Sequence, residues 1–339
     1  VEFKITMTIP DYQGSWLSDK LHYNIKDSLT DGLTLDVSSI KLEGTSINDL
    51  FVTNKKCTST NITTSTSGFT LDLYGEDVYQ YAGNTIAITY QAQVNDKAKV
   101  NFDSDENKAT LKYSTVASGT DMSDPMQDIT HHYTFGFDTL VNGTGSEKTT
   151  EITKYGVKTT TELDNKVALD GAQFQLFDAN GKQLYFTSAG EYTTETSGTY
   201  DYIVSKNNGQ LTATGLDAGT YTLKESKAPL GYALDKTTYT IVITPTYNEL
   251  TGELKNYTVR VSGATGNSIT FTHEKLDNGT INTTDNAANA DTFGINNTPL
   301  ITLPETGGAG MIVLTVAAVI LMAGFGTMFV SLRKRKQVK

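Results

Sequence analysis

Thr220 to Glu225 read TYTLKE, and the fold turns on how this stretch is read. Side chains in a strand alternate between two faces, so Tyr221, Leu223 and Glu225 share one face and Thr222 and Lys224 the other. The apolar face thus carries a carboxyl group, which is costly to bury unless a partner meets it there. Outward from this stretch, the same period of two recurs at residues 1–9, 21–29, 84–93, 107–113, 172–177, 238–243 and 256–261. Gly-containing turns separate the strands: TDGL at 30–33, DANG at 178–181, NNGQ at 207–210 and LDAGT at 216–220.

No long helical periodicity precedes the C-terminal apolar run. The pattern predicts an all-β chain of two tandem Ig-like β-sandwich domains, followed by a C-terminal transmembrane helix. The polar stretch at 114–130 marks a domain junction, and a second one at 275–292 reads as a long loop inside the second domain. A length of 339 residues suits two domains. The net charge of −11 argues against nucleic acid or anionic lipid as the main partner. Cys57 is the only cysteine, so no internal disulfide and no cysteine-based metal site can form. The chain opens inside a strand, with Val1, Phe3, Ile5, Met7 and Ile9 on one face, and shows no signal peptide. It reads as a fragment that lacks its export signal and at least one upstream strand.

Near the C-terminus stands LPETGG, Leu303 to Gly308. An uncharged run from Met311 to Leu332 follows, long enough to cross a hydrocarbon core of roughly 30 Å. Arg333, Lys334, Arg335 and Lys336 close it and would stay cytoplasmic. In this order the parts resemble the sorting signal of sortase substrates in Gram-positive bacteria: motif at 300–308, helix at 309–332, basic tail at 333–339. The resemblance implies that a sortase thiol recognises Leu303, Pro304, Glu305, Thr306 and Gly307. It would attack the Thr306 carbonyl, cleave before Gly307 and hold an acyl-enzyme. An amine from cell-wall precursor or a neighbouring subunit would then take over Thr306, so the helix is only a transient membrane anchor.

YTLKESKAPLGY, Tyr221 to Tyr232, resembles the E-box of Gram-positive pilins. LDGAQFQLFD at 169–178 and the closing FGINNTPLITLPETGG resemble strands of their collagen-adhesin B-type domains, here residues 138–299. VEFKITMTIP, KDSLTDGLTL at 26–35 and NKATLKY resemble the isopeptide-forming domain of pilin subunits, here residues 1–137 and truncated at its N-terminus. The family implies a self-formed Lys–Asn isopeptide bond assisted by an acid. Such chemistry needs a neutral lysine and a protonated carboxyl, and burial favours both neutral forms.

Parity tests that requirement. Phe293, Ile295 and Asn297 share a face, which selects Asn297 over Asn296, and Glu225 lies with apolar residues. Ile152, Lys154 and Lys158 share a face, so parity leaves both lysines open; the family's spacing favours Lys154. In the first domain Tyr23, Ile25, Asp27 and Leu29 share a face, as do Asn107, Ala109, Leu111 and Tyr113. Asp27 and Asn107 become the acid and acceptor there, and the family's lysine falls upstream of residue 1.

Other features stay structural. His131–His132 reads as a strand-edge pair, DANGK at 178–182 as a hairpin turn, Cys57 as a loop thiol, and Trp16 with the tyrosines as packing residues. No cofactor, no metal and no enzymatic turnover are expected. The resemblance therefore implies a pilin subunit of backbone type, attached to the cell surface through Thr306, with sortase, neighbouring pilins and peptidoglycan as partners. The Tyr-Pro-Lys core of the backbone-pilin acceptor motif is not found in this sequence. The competing expectations are a minor or basal pilin, or a wall-anchored adhesin stalk whose ligand is host matrix or glycan.

Overall fold

The computed structural model describes residues 1–12, 20–46, 61–116, 118–138, 150–157, 165–193, 199–263, 266–286 and 292–300. These residues form strands with one short helix, Glu76–Tyr79. The regular alternation of apolar and polar side chains is the cause: along His22–Leu29, Tyr23, Ile25, Asp27 and Leu29 are buried while their neighbours are not. The strands group around two separate apolar cores.

In the first, a four-stranded sheet runs in the order Glu2–Thr8, Thr85–Val94, Leu33–Leu42, Thr45–Ser46. A five-stranded sheet runs Asn61–Ser65, Gly68–Tyr74, His22–Leu29, Asp105–Tyr113, Met126–His132. Met7, Leu35, Ile88 and Tyr90 from one sheet bury against Tyr23, Ile25, Phe69 and Leu71 from the other, the two-layer arrangement of an Ig-type sandwich.

The second core lies inside a seven-stranded sheet and a three-stranded one. The larger runs Ile203–Val204, Gln173–Phe177, Gly219–Lys227, Thr238–Tyr247, Leu254–Ser262, Ser268–Lys275, Ile281–Asp285. The smaller runs Lys166–Ala168, Ile152–Val157, Phe293–Asn297. Ile152–Val157 and Phe293–Asn297 pair in parallel, with Ile152 opposite Phe293 and Gly156 opposite Asn297. Strands far apart in sequence thus become neighbours, the geometry a first-to-last-strand link requires.

Three expectations change. Residues 126–132, which overlap the end of the stretch read as a junction, form an edge strand paired with Asp105–Tyr113. Ile281–Asp285, inside the stretch read as a loop, pairs with Ser268–Lys275; its Asn and Thr residues hid an edge strand that needs only one buried face. Phe102, Tyr133, Phe135 and Phe137 lie within the expected first domain yet pack in the second core. The Phe102 and Phe135 rings meet Tyr257, the Tyr133 ring meets Tyr247, and the Tyr257 hydroxyl donates to Asn101 Oδ1 at 3.0 Å. The expected helix at 309–332, the LPETGG motif, Trp16 and Cys57 lie outside the described residues.

Candidate functional site

Lys154 stands in the middle of Ile152–Val157 and is fully buried, a rare position for a lysine. Its backbone is held on both sides: its N–H donates to the Gly209 carbonyl at 2.7 Å and its carbonyl accepts from Leu169 N–H at 2.8 Å. Ile152, Phe174, Phe293 and Ile295 are buried around it, and Nζ lies 5.8 Å from the Phe174 ring centroid. Burial pushes the Lys154 amine below its usual value of 10.5, with Glu225 pulling the other way.

Nζ donates to Asn297 Oδ1 and lies 3.3 Å from Glu225 Oε1. Asn297 Nδ2 donates to the same Glu225 oxygen at 2.9 Å. The three side chains close a triangle in which each touches the other two, and Asn297 is 1% exposed. Parallel register explains the meeting: Lys154 faces Ile295 across the ladder, and its long side chain reaches the inward residue two positions on. Glu225 arrives from the seven-stranded sheet, inward like Tyr221 and Leu223. Its second oxygen accepts from the Asp235 N–H at 2.6 Å, a contact that fixes the carboxylate plane. Asp235 is legible only in three dimensions, because it lies in a loop with no strand parity. Lys158 lies outside the described residues.

In the first sandwich Asp27 and Asn107 are both buried, on adjacent strands with Asp27 opposite Ala109. The sequence reading missed the residue that joins them, although Tyr90 shares the apolar face of Ile86, Ile88 and Ala92. The Tyr90 hydroxyl donates to Asp27 Oδ2 at 2.6 Å and accepts from Asn107 Nδ2 at 2.5 Å. Burial raises Asp27 from 3.8 to about 6, offset in part by the Tyr90 and Asn107 hydrogen bonds. Asp27 Oδ1 and Asn107 Oδ1 remain buried with no hydrogen-bond partner among the described residues. A cleft of roughly 580 Å³ opens beside Asn107, between Glu2–Thr8 and Met126–His132. Those are the edge strands of the two sheets.

The remaining candidates fall into place structurally. His131 and His132 end an edge strand, and His131 Nδ1 lies 3.0 Å from Ser104 Oγ. Asp178 Oδ1 accepts from the N–H groups of Asn180 and Lys182, forming the turn expected of DANGK.

Residues 150–258 match the SpaA prealbumin-like fold domain, and residues 295–339 match the LPXTG cell wall anchor motif. The chain is 25% identical over 287 residues to the trypsin-resistant surface T6 protein of Streptococcus pyogenes, covering 81% of this chain and 45% of that one. It thus spans less than half the length of that relative. Among solved structures, the group B streptococcus pilus 2b backbone protein shares 21% identity at a TM-score of 0.50, over 90% of this chain and 94% of that one. The T6 backbone pilin of serotype M6 Streptococcus pyogenes shares 19% at a TM-score of 0.51, over 88% and 65%. These two likenesses establish the fold. The anchor motif assigns the protein to the cell surface, attached to the cell wall. The chain thus carries a SpaA prealbumin-like domain and an LPXTG cell wall anchor motif, and it is similar to the T6 surface protein.

Proposed function

We propose that the chain is a structural subunit, of backbone type, in a covalently polymerised pilus, and that its one chemical act is on itself. The observation that carries the second half is the dry triangle of Lys154, Asn297 and Glu225. A buried lysine without such a purpose is a poor stabiliser, because removing an ion from water costs several kcal/mol that pairing only partly returns.

The reaction follows from the contacts. Neutral Lys154 Nζ attacks Asn297 Cγ, and the new C–N bond replaces the bond from Cγ to Nδ2. Nδ2 departs as ammonia, carrying the proton that Nζ gives up. Glu225 Oε1 lies within reach of both nitrogens and relays that proton. No water is consumed and no oxidant is needed. The product ties residues 143 positions apart.

The first domain, residues 1–137, would hold a second site with Asp27 as acid and Asn107 as acceptor. Two buried oxygens without partners support that reading, since an incoming lysine amine would satisfy them. The remainder, 138–299, would form most of the second domain, whose core also takes in Phe102, Tyr133, Phe135 and Phe137. Thr306 would be passed by a sortase to an amine of the next subunit or of peptidoglycan; a host matrix or glycan ligand stays a property of the competing stalk reading. The chain performs no turnover on other molecules.

Intact mass tests the proposal. A chain ending before Leu303 should weigh one ammonia less than its sequence, and its Glu225→Ala variant should show no loss. Peptide mapping then decides between Lys154 and Lys158. An unshifted parent mass would overturn the cross-link and move the adhesin-stalk reading ahead.

A further inference from the structure

Three more ionisable groups are buried in the second unit, and the triangle does not use them. Asp138, Glu151 and His273 are each 4% exposed or less. Asp138 and Glu151 clasp each other's backbone: Asp138 N–H donates to Glu151 Oε2, and Glu151 N–H donates to Asp138 Oδ1. Asp138 Oδ2 also accepts from Ile152 N–H at 3.0 Å. The clasp therefore grips the first residue of the Lys154 strand. The Glu151 carbonyl accepts from Phe293 N–H at 2.7 Å and from Thr292 Oγ1 at 3.2 Å, which starts the parallel register with the Asn297 strand.

His273 connects this clasp to the other sheet. Its Nε2 lies 2.5 Å from Glu151 Oε1 and its Nδ1 lies 2.9 Å from Thr283 Oγ1. Its ring stacks on Tyr257 with centroids 4.5 Å apart. His273 belongs to the seven-stranded sheet, as does Glu225, with two strands between theirs. That separation is about 14 Å at one strand spacing per step. Two buried polar links thus bridge the sheets, Glu151 to His273 and the triangle's own contacts to Glu225. Two points fix the distance and angle of one sheet on the other, where one would leave a pivot.

From this geometry we infer that His273, through Glu151 and Asp138, is a positioning residue for the Lys154–Asn297 reaction. It touches neither reacting group. It holds the start of the Lys154 strand against the sheet that supplies Glu225, so that the carboxylate meets both nitrogens. Buried hydrogen-bonded groups lock geometry because leaving either partner unmade is costly. This inference rests on the isopeptide reading.

Single-cohort kinetics tests it. The full chain is made by cell-free translation, chased, and quenched in acid at intervals. Intact mass then gives the linked fraction among molecules already resistant to protease. His273→Phe keeps the stack on Tyr257 but deletes both ring nitrogens, and should slow ammonia loss by tenfold or more once folded. His273→Gln restores a donor toward Glu151 and should recover the rate to within about threefold. Thr283→Val removes only the Nδ1 contact and serves where the Phe variant does not fold; an intermediate slowing is expected. If the parent loses ammonia and folded His273→Phe or Thr283→Val keeps pace, the positioning role is wrong while the isopeptide reading stands. If the parent never loses ammonia, both fall.

Discussion

At Lys154 and Asp27, burial shifts the protonation on which the proposed reaction depends. In the proposed reaction the nucleophile is the neutral amine, and burial lowers the pKa of Lys154. The rate of ammonia loss should therefore rise with pH through the lowered value. Quenched-flow mass spectrometry across pH checks this; a rate independent of pH would deny the amine its role. Asp27 moves the opposite way, from 3.8 to about 6. The folded state then binds more protons at Asp27 than the unfolded one between those values, so the contribution of Asp27 to stability is fully present below 3.8 and is lost as pH rises through about 6. The decline amounts to about 3 kcal/mol, because each tenfold change in proton affinity is worth about 1.4 kcal/mol. Chemical denaturation followed on the first sandwich should show this contribution as the difference in pH slope between the parent and Asp27→Asn; identical slopes would deny it.

Among the elements, the Lys154 strand depends on a turn that the sequence announces. Asn207, Asn208 and Gly209 have φ of 50°, 69° and 81°, and the Gly209 carbonyl accepts the Lys154 N–H. A Cβ on Gly209 would collide with the Lys154 carbonyl oxygen, with no flexible side chain to yield. Gly209→Ala should destabilise the second unit by about 1–3 kcal/mol, the usual range for an overpacked site. Urea denaturation in a Glu225→Ala background, where no covalent link masks the effect, measures it. NNGQ could be read as a turn because Asn and Gly tolerate positive φ. Ile281–Asp285 and Met126–His132 could not be read as strands. Edge strands with a partner on one side only need no apolar alternation, and polar residues protect them from further pairing.

For the whole molecule, a link from Lys154 to Asn297 would span nearly the entire second unit. Closing a loop of 143 residues stabilises by about 5 kcal/mol in the chain-entropy model. Glu225→Ala should therefore lower the unfolding midpoint of the second unit and leave that of the first unchanged. Calorimetry with two resolved transitions checks this; a shared shift would mean that the packing of Phe102 and Phe135 against Tyr257, and of Tyr133 against Tyr247, couples the two units.

Local pattern is enough to specify the all-β class, the inward direction of Glu225, Asn297, Asp27 and Asn107, and the anchor motif at Leu303–Gly307. Strand parity repeats every two residues and a sorting motif is contiguous, so both can be read along the chain. Which groups meet is settled by the packing of the folded chain. Parity put Lys154 and Lys158 on one face, whereas the contact of Lys154 with Asn297 comes from the parallel register of two strands far apart in the chain. Tyr90 between Asp27 and Asn107, Asp235 behind Glu225, and the clasp of Asp138, Glu151 and His273 were likewise invisible beforehand. A hydrogen bond across a sandwich depends on how two sheets stack, and no period within either strand encodes that.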